Sequence, residues 1–310
     1  MPTAAERRAG LLWGFVGVAS FSLTLPATRV AVATLDPVFV GLGRAVIAAL
    51  LASMVLVGTR ARWPDRALLP RLPVGAGGGV IGFPLFSAWA LRYVPASHGA
   101  VVIGLLPLAT AGAGALIAHE RPSGLFWLSA MFGSGVVVGF AVWQGGGAPH
   151  PADLLLLLAV VAAAIGYAEG GRLSRTMPGW KVICWALVLA APFVAIPTFL
   201  AVDDRLLNAP VTAWIGFGYV SAISMFLGYF AWYHGLALGG SATVGQVQLI
   251  QPFLTIFASA WLLGERIDVA TYVGAALVIA EISLALVLLI SAGLLIKGSV
   301  QLQRVDLGFE

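Results

Sequence analysis

Charge is what this 310-residue chain has least of: Asp, Glu, Lys and Arg make up 10% of it, against the roughly 25% usual in a soluble domain. With 60% apolar residues and a mean hydropathy of +0.98, there is too little polar surface to cover a water-soluble fold. The sequence reads as an integral membrane protein. Cysteine is almost missing, and a lone Cys184 excludes an internal disulfide framework. Reactive motifs are missing too. The chain has no H-E-x-x-H, no Gly-rich phosphate loop and no paired carboxylates within an apolar run. His98 and His234 have no second His or Cys at metal-ligand spacing. The expectation is therefore no enzyme, no metal, no cofactor and no ATP-driven pump.

What the chain does have is long apolar runs. A helix needs about 20 mostly apolar residues to cross the hydrocarbon core. Ten runs qualify, near 11–33, 37–57, 74–93, 96–118, 124–143, 152–171, 180–202, 212–238, 241–263 and 269–291. The run from Leu11 to Thr28 is longer than the apolar part of a secretory signal, and it is read as a retained first helix. If the N-terminus is cytoplasmic, 12 of the 17 Lys and Arg residues fall on the inside, among them Arg60, Arg62, Arg66, Arg71, Arg172 and Arg175. That bias places both termini in the cytoplasm. The net charge of +4 thus marks cytoplasmic loops, with no nucleic-acid partner expected.

Two stretches repeat. "VIGLLPLATAGAGALIAHER" at 102–121 and "VQLIQPFLTIFASAWLLGER" at 247–266 align without a gap at an offset of 145 residues. Seven of their twenty positions are identical, including Pro107/Pro252, Thr110/Thr255 and Glu120/Glu265. This points to duplication of a five-helix unit. Five is odd, so the second copy enters the membrane from the other side, the inverted repeat common among secondary transporters. The expected architecture is all-α and integral to the membrane, with ten transmembrane helices in two inverted five-helix repeats. Residues 1–148 form the first repeat, 149–293 the second and 294–310 a polar tail.

The order of these pieces resembles the EamA-type drug/metabolite transporter superfamily. The resemblance rests on "P…T…A…(G/H)ER" before the last helix of each half, on "WGFVGVASFSLTLPATRVAVATLDPVFVGLGRAVIAALLA" at 13–52, and on "ADLLLLLAVVAAAIGYAEGGRLSR" at 152–175. It implies a bacterial-type cytoplasmic (inner) membrane and export of small metabolites. Within the superfamily the chain is most similar to the branch that exports aromatic and other neutral amino acids. The implied partners are a small-molecule substrate and the lipid bilayer, with the protein a monomer or weak dimer. An internal two-fold repeat favours alternating access over a pore of oligomeric symmetry. The alternative is a channel-like or facilitative permease for another metabolite class, such as sugar- or nucleotide-linked compounds.

Depth along each run suggests where a substrate could sit. Ser22 and Thr24 lie beside Pro26, Phe83 and Trp89 fall in the third run, and Tyr167 and Tyr229 in the sixth and eighth. Gln248 and Gln251 share one helical face, being about 60° apart at 100° per residue. Rings, amides and hydroxyls together suit a zwitterion with an apolar side chain. Tyr93, Trp232 and Tyr233 have a simpler reading as interface anchors. Pro26, Pro107 and Pro252 either kink helices for packing or take part in gating. Glu281 is a candidate proton-coupling site or a structural hydrogen-bonding group. Glu169 and Arg172 suit an i,i+3 pair, and each repeated Glu is expected to complement the helix that follows it. Arg29 and Arg44 either snorkel outward or line an external vestibule.

Overall fold

A computed structural model describes residues 3–117 and 151–265, with single positions at 124, 127, 128, 131, 132 and 135 between them. The run 269–291, Glu281, the Glu120-Arg121 pair, Arg266 and the tail lie outside the described residues. The described chain is helical and free of strands. Among the described residues eight helical units are long and apolar enough to cross a membrane. They are α1 (Ala4–Val32), α2 (Pro37–Gly58), α3 (Leu72–Ala90), α4 (Ala96–Ile117), α5 (Pro151–Leu173), α6 (Gly179–Leu200), α7 (Val211–Gly239) and α8 (Thr243–Leu263).

Five of these units are not continuous α-helices, and four of the interruptions follow from a proline. Proline lacks an N–H, and its ring crowds the carbonyl four residues earlier. Pro26 crowds Ser22, where the first segment of α1 ends before Leu23. Pro107 crowds Ile103, where the first segment of α4 ends. Pro252 follows a tight 3₁₀ stretch over Gln246–Ile250 in α8. Pro84 follows a wider, π-type stretch over Gly77–Gly82 in α3. The fifth interruption, the π-type stretch Tyr219–Leu227 in α7, contains no proline. It ends 145 residues after the π-type stretch of α3, the offset at which the two proline segments align. Proline alone is not sufficient, since Pro192 and Pro197 sit inside an unbroken α6.

The units pack mainly across the two halves of the chain. The most extensive contacts join α1 to α7, α2 to α6, α3 to α5 and α4 to α5, and α8 also meets α1 and α4. Exchanging the halves maps α1–α7 onto α5–α3 and α4–α5 onto α8–α1, and it leaves α2–α6 and α4–α8 unchanged. Glycine makes the closest approaches possible, because backbone meets backbone. A Cβ on Gly166 of α5 would lie 2.5 Å from the Gly79 nitrogen of α3. One on Gly235 of α7 would lie 2.7 Å from the Gly14 nitrogen of α1. Outward surfaces carry Phe15, Leu50, Met54, Leu116, Phe193 and Phe199, all exposed, as expected where the solvent is lipid.

Gly166→Ala is therefore expected to destabilise the protein by about 1–3 kcal/mol, the usual cost of overpacking. Gly112→Ala, where the added carbon would meet nothing within 4 Å, is expected to be neutral or stabilising. Thermal unfolding of the purified variants in detergent checks this, and equal melting temperatures would contradict the packing.

Candidate functional site

Four of the five interruptions converge. One buried cavity is lined by Phe21, Thr24 and Leu25 at the break in α1, and by Gly79 and Phe83 at the π-type stretch of α3. Ser224 and Met225 come from the π-type stretch of α7, with Tyr229 just beyond it, and Gln251 from the break in α8. Arg44 of α2 and Tyr167 of α5 complete the wall. Irregular backbone is tolerated at membrane depth where it is buried in protein or lines a cavity. The space left is about that of one water molecule.

Hydrogen bonds across the cavity come from opposite halves. Thr24 Oγ1 and Ser224 Oγ lie 2.7 Å apart. The Tyr229 hydroxyl donates to the Gly79 carbonyl at 3.2 Å, and the Tyr219 hydroxyl donates to the Ser20 carbonyl at 2.8 Å. These phenols satisfy carbonyls at or beside the irregular turns. The rings also pack on one another. Phe21 lies 5.2 Å from Tyr229, Tyr167 lies 5.2 Å from Trp232, and Tyr229 lies 5.2 Å from Tyr233.

Among the described residues the one charged group in the wall is Arg44, only 1% exposed, with its guanidinium 6.0 Å from the centre of the Phe83 ring. Its Nε and Nη1 are buried without a hydrogen-bond partner. Neither snorkelling nor an external vestibule describes this residue. Positions 39–45 of α2 are buried on every side, so the side chain has no route to lipid or water from there. Depth along the chain left Arg44 between snorkelling and an external vestibule, because it does not show that the side chain turns inward. Ser224 was missed, although it stands 145 residues after Gly79 and both line the cavity.

Of the residues singled out from sequence, Thr24, Phe83, Tyr167, Tyr229 and Gln251 line the cavity. Ser22 does not, since its hydroxyl donates to the Val18 carbonyl of its own helix at 2.8 Å. Trp89 is half-buried on α3 and outside the wall. Gln248 is buried on α8, with neither amide atom hydrogen-bonded, and it too is outside the wall. Pro26, Pro107 and Pro252 are all buried at breaks. Among the described residues no group of three or more His, Cys, Asp or Glu could hold a metal ion.

Several expected pairings are different in the fold. Trp232 and Tyr233 are not interface anchors but core residues, 0% and 2% exposed. Gly17 leaves room for the first, and Gly170 and Gly179 for the second. Glu169 forms its ion pair with Arg71, at 3.7 Å, rather than with Arg172. Arg172 instead donates to the Ile117 carbonyl, at the C-terminal end of α4. Arg29 similarly donates to the Leu91 and Arg92 carbonyls just after α3. Glu265 accepts from the Ala96 and Ser97 amides at 3.2 and 3.1 Å, so it caps α4 of the other half. Arg172, Arg29 and Glu265 thus go to helix ends that chain order does not reveal, where the dipole favours them.

The EamA-like transporter family matches the chain twice, over residues 8–141 and 150–289. The uncharacterized transporter YdeK of Bacillus subtilis (strain 168) is 45% identical over 258 residues, covering 83% of this chain and 90% of the relative. An uncharacterized transporter of Archaeoglobus fulgidus is 24% identical over 267 residues, covering 84% and 93%. A protein of known crystal structure superposes with a TM-score of 0.71 at 18% identity, over 91% of this chain and 99% of its own, a likeness of fold.

The bond between Thr24 and Ser224 is open to a double-mutant cycle. Thr24→Val and Ser224→Ala are expected to show a coupling of about 0.5–1.5 kcal/mol in thermal or denaturant unfolding. Strict additivity would mean that the two hydroxyls do not join the halves.

Proposed function

The chain belongs to the EamA-like transporter family, which it matches in two successive copies, and from that premise we propose that it is a secondary-active exporter of neutral amino acids with aromatic or hydrophobic side chains and of related small molecules. The observation that carries this reading is the convergence of broken helices from both halves on one buried, ring-lined cavity. Rings accept an apolar side chain, while Thr24, Ser224 and Gln251 offer hydrogen bonds to its polar end. Inverted repeats with both termini cytoplasmic in the bacterial inner membrane complete the reading, on the strength of the internal duplication and the Lys/Arg bias.

Alternating access suits the geometry because the cavity is nearly filled. With room for about one water, it must enlarge before it holds an amino acid. The interruptions at Leu23, at Gly104–Leu105 and over Gln246–Ile250 are places where segments can tilt without breaking further helical hydrogen bonds. Pro26, Pro107 and Pro252 would then serve the gating motion.

The test is reconstitution of the full chain in liposomes with a panel of labelled amino acids. Aromatic and large aliphatic members are expected to move, and Tyr229→Ala to slow them by about tenfold or more through loss of one ring contact. A panel in which no member moves would overturn the reading. Rates unchanged by a pH gradient would instead favour a facilitative permease.

A further inference from the structure

We infer that Arg44 is the anchor for a carboxylate on the transported molecule, so that the substrate class is organic acids with a compact apolar body, amino acids included. The inference rests on the reading of the cavity as the transport site, and it names the group that the site requires.

Arg44 is among the largest fully buried side chains, yet its Nε and Nη1 have no hydrogen-bond partner. Among the described residues no carboxylate lines the cavity or pairs with Arg44. Glu169, the buried acid of the neighbouring α5, is engaged by Arg71. The groups that share the wall with Arg44 are the Phe21 and Phe83 rings, the phenols of Tyr167 and Tyr229, two hydroxyls, one amide and the apolar Leu25, Met225 and Gly79. None of these neutralises it. A buried cation without a counter-charge is costly, and a protein that needed only volume or polarity here would be better served by Met or Gln.

A ligand carboxylate removes that cost. The guanidinium presents a planar fork of N–H donors that matches two carboxylate oxygens, and the low-polarity wall strengthens the pair. The rest of the wall then describes the rest of the ligand. Phe21, Tyr167 and Tyr229 suit a ring or branched chain. The Gln251 Oε1 atom, buried and unpaired, accepts from an ammonium or hydroxyl group where the ligand has one. With no carboxylate in the wall among the described residues, a substrate whose only charge is positive meets Arg44 unscreened.

The experiment uses the full chain in nanodiscs and liposomes with four probes that share one ring: L-phenylalanine, 3-phenylpropionate, phenylalaninamide and phenethylamine. The two acids are expected to raise the melting temperature and to compete in transport, and the amide and the amine to do neither. Arg44→Gln is expected to weaken the acids on the order of 10–100-fold, the contribution of hydrogen bonds to a charged group. Arg44→Lys should lose less, because it keeps the charge without the fork. Without ligand, Arg44→Gln is expected to melt no lower than the parent, whereas an arginine kept for the fold would lower it. If the amide substitutes for the acid in the parent protein, or if Arg44→Gln still separates acid from amide, the anchor is refuted while transport stands. If no probe binds or moves, the transport reading falls and the anchor falls with it.

Discussion

Inside a bilayer no water is available for a stray carbonyl or amide, so every interruption of a helix must be satisfied by other protein groups. Five of the eight described units of this protein are interrupted, and at two of the breaks, in α1 and α3, the opposite half supplies a bonding side chain. Tyr219 and Tyr229 of the second half bond carbonyls of Ser20 and Gly79 in the first. Arg172 and Glu265 of the second half meet the two ends of α4 in the first. The halves are thus held together by second-half side chains that serve breaks and helix ends of the first half, as well as by glycine-mediated packing. A cavity forms at the same place for the same reason, since irregular backbone and the side chains that serve it are concentrated there.

The positions of the apolar runs were plain in the sequence, and so were the breaks at Pro26, Pro107 and Pro252, because proline crowds the turn before it; the stretch before Pro84 was not. The interruption in α7 has no proline, and only its offset of 145 residues from the π-type stretch of α3 could have exposed it. Depth in the membrane was legible for the site residues, which is why Thr24, Phe83, Tyr167, Tyr229 and Gln251 were singled out. Azimuth around each helix was not. Arg44, Trp232 and Tyr233 all point inward among large neighbours, and a helix hydrophobic on every face gives no periodicity from which to read this. Partners of charged groups were equally hidden. Glu265 reaches a helix 168 residues away in the chain, and nothing local to "GER" at 264–266 indicates that target.

The described conformation is closed around its cavity. Rings pack against one another, and the Thr24 and Ser224 hydroxyls meet across the space a substrate would need. In the cycle we propose, loading separates these hydroxyls and exposes Arg44 and the rings to one side of the membrane, and reclosure followed by opening on the other side completes export. The breaks serve that motion because side chains such as Tyr219 and Tyr229, which can exchange partners, supply part of their hydrogen bonding.

Cross-linking the two halves at this contact tests the proposal most directly. With the buried Cys184 replaced by Ala, cysteines at 24 and 224 would face one another where the hydroxyls now lie 2.7 Å apart. The account expects oxidation to join them, to stop transport in liposomes, and to be fully reversed by a reductant. A cross-linked protein that carries substrate at the rate of the reduced form would show that the halves need not separate at the cavity, and would contradict the account.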